Sequence, residues 1–187
     1  MPAFVEFLRG EPLLSFLPSF YFENVTDITV EFLQECAIKA VLLDIDNTLS
    51  CHGAVEPFDG VQNWLDKVEK SGIKLAVISN NKEKRVQKFA ENVKINYYIA
   101  NANKPLKSGF CLAKEALKVN LADILVVGDQ IFTDVLGANL SGMRSALVEP
   151  KDKNEPISIK IKRVLEIPFK FGAKIKCQKK QRQDLLA

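Results

Sequence analysis

Short apolar runs at residues 40–43, 73–78, 97–99, 124–127 and 146–148, separated by longer segments with helical spacing, constrain this chain more than any other feature. Each run has the length of a strand and lacks the polar alternation of a strand with one wet face, so the five read as strands of a parallel sheet covered on both sides. Val61, Trp64, Leu65 and Val68 mark one helical face that ends near Gly72, and Val86, Phe89, Ala90 and Val93 mark a second. Phe110, Ala113 and Leu117 give a third after Pro105, and Val135, Ala138 and Leu140 a short fourth before Gly142. Ahead of the first strand, Thr29 is placed to cap a short helix carrying Phe32, Leu33 and Cys36. Right-handed crossovers put such helices on both faces. The expected fold is therefore α/β, a doubly wound, Rossmann-like, five-stranded parallel sheet.

A chain of 187 residues has material for one core and little for a second. The expected organisation is an apolar N-terminal segment with a short helix at 1–38, a core at 39–149, and a basic extension at 150–187 that opens with a polar linker at 150–156. The gaps at 49–73 and 84–104 each hold one helix and little else, so no cap domain is expected over the strand ends. Such a site should be open, suiting a bulky substrate or a lid lent by a second copy of the chain.

Charge is unevenly spread. Residues 151–187 hold 11 Lys or Arg against 4 Asp or Glu, whereas residues 1–150 hold 15 against 19. Four scattered cysteines with no Cys-x-x-Cys pair signal neither a zinc cluster nor a disulfide framework, and they fit a reducing, cytoplasmic setting. One histidine, His52, excludes a multi-histidine metal site. No apolar run reaches the roughly 20 residues that span a bilayer. The greasy start, broken by Glu6, Arg9 and Glu11 and by three prolines, does not read as a signal peptide.

In open α/β sheets ligands bind beyond the carboxyl ends of the strands. Polar residues at those ends are Asp44, Asp46 and Thr48 after the first run, Ser79 and Asn80 after the second, Lys104 after the third, and Gly128, Asp129 and Asp134 after the fourth. Together they meet the needs of phosphoryl transfer. Asp44 can attack phosphorus, and Asp46 can protonate the departing oxygen and later deprotonate water. The Asp44 and Asp129 carboxylates and the Asp46 carbonyl are hard oxygen ligands suited to Mg²⁺, with Asp134 either a further ligand or a helix-start carboxylate. Ser79, the Asn80 amide and Lys104 can hold phosphate oxygens, and Thr48 shapes the loop beside them as a hydrogen-bond donor.

Asp44-Ile45-Asp46-Asn47-Thr48, Ser79-Asn80, Lys104-Pro105 and Gly128-Asp129 with Asp134 resemble the four successive motifs of the haloacid dehalogenase superfamily of phosphatases. Phe16-Leu17-Pro18 ahead of Asp27-Ile28-Thr29, Asp46-Asn47-Thr48-Leu49, Gly128-Asp129-Gln130 and Thr133-Asp134-Val135-Leu136-Gly137 resemble more closely the YqeG-like branch of subfamily IIIA. That branch is related to phosphatidylglycerophosphate phosphatases. The resemblance implies an aspartyl-phosphate on Asp44, Mg²⁺ as cofactor, and a lipid phosphate as substrate.

Taken singly, the motif residues have plainer uses: aspartates cap helices and turns, Ser79-Asn80 can cap the helix near Glu83, and Lys104 can be a solvated lysine. His52 and Cys51 read as a surface histidine and an ordinary thiol, and Trp64 as core. In the extension, Ile157, Ile161, Val164 and Leu165 form one stripe beside Lys160, Lys162 and Arg163. That stripe either packs on the body or lies peripherally on the inner face of an anionic membrane. The competing functions are a phosphatase of a soluble metabolite, phosphoprotein or nucleic-acid end, and a non-catalytic phosphate-binding module; nucleic acid is not the expected partner.

Overall fold

The computed structural model describes residues 16–152 and 156–184. Its sheet has six strands: β1 (Phe20–Phe22), β2 (Ala40–Leu43), β3 (Lys74–Ile78), β4 (Tyr97–Ile99), β5 (Ile124–Gly128) and β6 (Arg144–Val148). Every neighbouring pair is parallel, in the order β1-β6-β5-β2-β3-β4. From β2 the chain winds outward through β3 and β4, then returns to β5 on the other side. The topological switch point thus lies at the carboxyl ends of β2 and β5.

The alternation of side chains along each strand divides the core in two. Val41, Leu43, Leu75, Val77, Leu125 and Val127 face α2 (Val61–Lys70) and α3 (Glu83–Asn92), packing with Trp64, Leu65, Val68, Val86 and Phe89. Ala40, Leu42, Ala76, Ile78, Ile124 and Val126 face the opposite way, toward Phe110, Ala113 and Leu117 of α4 (Lys107–Leu117) and Ala138 of α5 (Leu136–Leu140). A one-turn π-helix, Ile131–Val135, leads into α5. The small helix α1 (Val30–Glu35) starts where expected, with the Thr29 hydroxyl accepting the Phe32 amide at 3.1 Å. Leu140, assigned to the apolar face of the short fourth helix, is 43% exposed.

The expected five strands are six, because the N-terminal segment supplies one. Phe20, Tyr21 and Phe22 run in register with Ala146, Leu147 and Val148 and cover the edge of β6. Phe20 and Phe22 both meet the Phe32 ring of α1 edge-on, at 4.9 and 5.1 Å. Tyr21, on the other face, packs with Ile131, Val135 and Leu147. Three consecutive aromatics show no polar alternation, and the strand they pair with lies far along the chain, so the local pattern resembled an apolar appendage. The Trp64 indole N–H donates to the Ile28 carbonyl at 2.7 Å, tying the same segment to α2.

Helix α6 (Ile157–Asp184) begins the basic extension. The stripe of Ile157, Ile161, Val164 and Leu165 does not pack on the body: these residues are 77, 59, 64 and 59% exposed. Other side chains dock the helix, with Phe169 against Phe16 and Phe132 and Lys170 3.3 Å from Glu149. No cap domain is present among the described residues. Residues 1–15, with several of the N-terminal aromatics, and 153–155 of the expected linker lie outside the described residues.

Trp64→Phe keeps an aromatic six-membered ring but removes the indole N–H and leaves the buried Ile28 carbonyl without its donor. We expect it to lower unfolding stability by about 1–3 kcal/mol in urea denaturation, with the m-value unchanged.

Candidate active site

β2, β3, β4 and β5 each lead at their carboxyl ends into a residue of the candidate site. β2 runs straight into Asp44, whose amide donates to the Val127 carbonyl at 3.0 Å, so the two central strands fix its backbone. Asn47 then takes a left-handed conformation, φ +58, which asparagine tolerates, and folds the loop back on itself. After β3, the Asn80 side chain clasps the chain beyond β4: it accepts the Lys104 amide at 2.7 Å and donates to the Lys104 carbonyl at 3.1 Å. β5 ends at Gly128, where a Cβ would fall 2.3 Å from the Asp134 carboxyl carbon. Only glycine lets the Asp134 side chain enter there.

Lys104 lies at the centre. Its ammonium donates to Asp44 Oδ1 at 2.6 Å, to Asp134 Oδ1 at 2.6 Å and to the Ile78 carbonyl at 3.0 Å. Burial pulls this lysine toward neutrality, but Asp134 and Asp44 outweigh it and hold its pKa above the ordinary lysine value. The Asp44 carboxyl is pushed up to about 7, first by burial and then by Asp134, against the pull of Lys104. Burial likewise lifts Asp129 well above the carboxylate range, opposed by Arg163. The cause is visible in the charges: three buried carboxylates, Asp44, Asp129 and Asp134, face two cations, Lys104 and Arg163.

An excess of buried carboxylates over cations suits a divalent cation. Carboxylate oxygens of Asp44, Asp129 and Asp134 lie within 4.8 Å of one another. Asp129 Oδ1 is buried and accepts no hydrogen bond among the described residues. Both Asp134 oxygens are engaged, Oδ1 by Lys104 and Oδ2 by the Gln130 amide at 3.2 Å and the Thr133 hydroxyl at 3.3 Å. The donor set therefore fits a hard dication best through Asp44 and Asp129, with Asp134 anchoring the lysine.

Asp46 sits two residues on, with its carboxylate turned to the wall of the cleft. Arg85 grips it bidentately at 2.6 and 3.0 Å, Asn81 donates at 2.7 Å, the Gly53 amide at 3.0 Å, and His52 Nδ1 stands 3.6 Å away. Burial raises its pKa, but these donors outweigh burial and hold it below the ordinary value. The Ser79 hydroxyl lines the cleft and accepts from the Asn81 amide and side chain. Thr48 is buried, but its hydroxyl bonds to no described residue, so the expected loop-shaping bond is not made.

Asp44, Asp46, Ser79, Asn80 and Lys104 line one cleft of about 190 Å³ with His52, Asn81, Gln130, Thr133, Ile159 and Lys162. Two larger hollows, of about 440 and 450 Å³, lie elsewhere on the surface, and neither gathers buried charges. Chemistry rather than volume selects the site. Residues from α6 line it, so the cleft is not left to the four strand ends alone.

Sequence reasoning missed several of these side chains. Arg85 carried a signal: a cation in the first turn of α3 opposes the helix dipole and calls for a carboxylate partner. Glu166 carried another, as the single acid between residues 157 and 183. It is fully buried, and its Oε1 accepts the Phe132 amide at 3.1 Å. Arg163, one of the basic stripe in the sequence reading, instead turns inward and pairs with Asp129. His52 carried no signal beyond its position after the first motif.

Comparison with known proteins gives the family of the chain. Residues 21–148 match the model of the family described as "Haloacid dehalogenase-like hydrolase". The chain is 34% identical over 151 residues to "Probable phosphatase YqeG" of Bacillus subtilis (strain 168), across 81% of this chain and 87% of that protein. An uncharacterized protein from Listeria monocytogenes serotype 4b shares the fold, with a TM-score of 0.52 and 21% identity over 64% of this chain and 85% of that one. The cobalt-bound deoxy-D-mannose-octulosonate 8-phosphate phosphatase from Haemophilus influenzae overlaps with a TM-score of 0.46 and 19% identity, over 67% of this chain and 74% of that one.

The raised Asp44 carboxyl has a consequence for stability. In the unfolded chain it titrates near 3.8, in the folded protein at about 7. The unfolded state therefore ionises first as pH rises, and folding stability drains away between these values and levels off above them. Asp44→Asn removes that loss. In chelator, calorimetry should place the melting temperature of Asp44→Asn roughly 3–6 °C above the unsubstituted protein at pH 8, and the gap should close near pH 4.

Proposed function

The chain belongs to the haloacid dehalogenase-like hydrolases and is a phosphatase, and from that premise we propose that it hydrolyses a lipid-linked phosphomonoester, phosphatidylglycerophosphate, with Mg²⁺ and through an aspartyl-phosphate on Asp44. The observation that carries the chemistry is the buried Lys104 held between Asp44 and Asp134. It fixes one oxygen of Asp44 and leaves the other for attack.

In this reading the free Asp44 oxygen attacks phosphorus as the substrate oxygen departs on the opposite side. Released from its Arg85 clamp, Asp46 takes up a proton from solvent and passes it to that oxygen, and then takes a proton from the water that cleaves the acyl phosphate. Lys104, giving up one of its three present acceptors, holds the phosphoryl oxygens with the Ser79 hydroxyl and the Asn80 backbone amide. The Asp44 and Asp129 carboxylates and the Asp46 carbonyl would hold Mg²⁺, which would offset the repulsion between anionic nucleophile and anionic substrate.

Support for a lipid substrate comes from α6. One side of this helix lines the cleft through Ile159 and Lys162, while Ile157, Ile161, Val164, Leu165, Ile167 and Phe171 are exposed on a strongly basic element. Apolar side chains beside lysines suit a peripheral seat on the anionic inner face of a membrane. No helix among the described residues is long and apolar enough to cross one.

Purified protein assayed against phosphatidylglycerophosphate in mixed micelles and against a panel of soluble phosphomonoesters should release phosphate fastest from the lipid. The release should require Mg²⁺ and fall by roughly 10³-fold or more in Asp44→Asn. A soluble sugar phosphate hydrolysed efficiently while the lipid is ignored would overturn the substrate assignment and leave the chemistry standing.

A further inference from the structure

Helix α6 reaches into the site at one point that the reaction scheme does not use. Arg163 Nη1 donates to the Asp129 backbone carbonyl at 2.6 Å, and Nη2 pairs with Asp129 Oδ2. The guanidinium thus grips main chain and side chain of the same residue, at the exit of β5. Asp129 Oδ1 is left buried and without a hydrogen bond among the described residues. Behind the arginine lies Glu166, fully buried, with Oε1 on the Phe132 amide and Oε2 3.8 Å from Arg163 Nη1. Burying two carboxylates with one guanidinium carries a desolvation cost that their mutual attraction only partly offsets.

We propose that Arg163, oriented by Glu166, is a positioning residue for the metal-ligating carboxylate of Asp129, so that α6 is part of the active site. The inference rests on the preceding reading that Asp129 ligates a divalent cation. A carboxylate on a strand end has freedom about two side-chain bonds. Holding Oδ2 removes that freedom and commits Oδ1 to one direction, the role that outer groups play around metal ligands. Arginine suits the task because its planar fork spans a carbonyl and a carboxylate oxygen together, whereas an ammonium offers one point of charge. Glu166 Oε2, 3.8 Å from the fork and without a hydrogen bond among the described residues, draws the guanidinium by charge, and Oε1 holds the turn that follows Asp129 through the Phe132 amide. The opposite arrangement, with Arg163 as a rival of the cation for Asp129, requires both oxygens to be taken, and Oδ1 is not.

The experiment is a titration of the full-length protein with Mn²⁺ alone, read by the electron paramagnetic resonance of the free ion, with circular dichroism melts to verify folding. Arg163→Met should weaken Mn²⁺ binding by roughly 10–100-fold, Glu166→Gln by less, and Arg163→Lys should recover only part of the loss. Lys170→Ala, which breaks a different contact of α6 with the body, should bind within about threefold of the unsubstituted protein. Binding by Arg163→Met that is unchanged or tighter overturns the proposal, as does an equal loss in Lys170→Ala. Should Arg163→Met fail to fold, Arg163→Lys and Glu166→Gln decide by the same criterion. A parent protein that takes up no Mn²⁺ sinks the underlying metal assignment along with this inference, whereas parent binding with Arg163→Met unaffected sinks this inference alone.

Discussion

A lysine ammonium buried between two carboxylates organises this molecule's site. Lys104 is held at 2.6 Å by both Asp44 and Asp134, and removing the lysine would strand two buried carboxylates. The arrangement joins the ends of three strands: Asp44 follows β2, Lys104 follows β4, and Asp134 follows β5. Around it the backbone is committed. Asn80 clasps Lys104 by both main-chain groups, and Gly128 makes room for Asp134 where a Cβ would collide. The lysine thus serves the fold and sets the electrostatics of Asp44 with the same contacts.

Around that centre the two chemically distinct aspartates sit in opposed surroundings. Burial and a neighbouring carboxylate push the Asp44 carboxyl up, whereas the Arg85 fork, Asn81 and the Gly53 amide hold Asp46 down. Two carboxyl groups two residues apart are in this way given different proton affinities. The divergence is opposite to the division an attacking carboxylate and a proton donor need, so the chemistry requires a cation beside Asp44 and release of Asp46 from Arg85. Arg85 reaches Asp46 from α3, and Arg163 reaches Asp129 from α6. Each carboxylate thereby acquires a guanidinium from a helix remote in sequence, and the basic extension becomes one wall of the cleft.

What could be read in advance follows the range of the forces involved. The strands β2 to β6 were legible because a strand buried on both faces must be apolar along its length, and the polar residues after them stood out against those runs. Ser79, Lys104 and Asp129 could be placed at one edge on the parallel topology alone. The sixth strand was not legible, since Phe20-Tyr21-Phe22 acquires its meaning from β6 and from Phe32 of α1. The α6 stripe was left open between the body and a membrane surface, and how the helix docks depended on Arg163, Glu166 and Phe169, whose partners lie far back in the chain.

By itself, then, the order of residues determined the parallel α/β sheet, the convergence of four loops at its carboxyl edge, and the types of group gathered there, because periodicity and strand-end placement are local. Tertiary structure alone decided how the charges pair. It set Lys104 between Asp44 and Asp134, turned Asp46 to Arg85, brought Arg163 to Asp129, and left Ile157, Ile161, Val164 and Leu165 to solvent. Ion pairs between distant residues depend on which surfaces meet and which are dried, and neither quantity exists until the helices have packed.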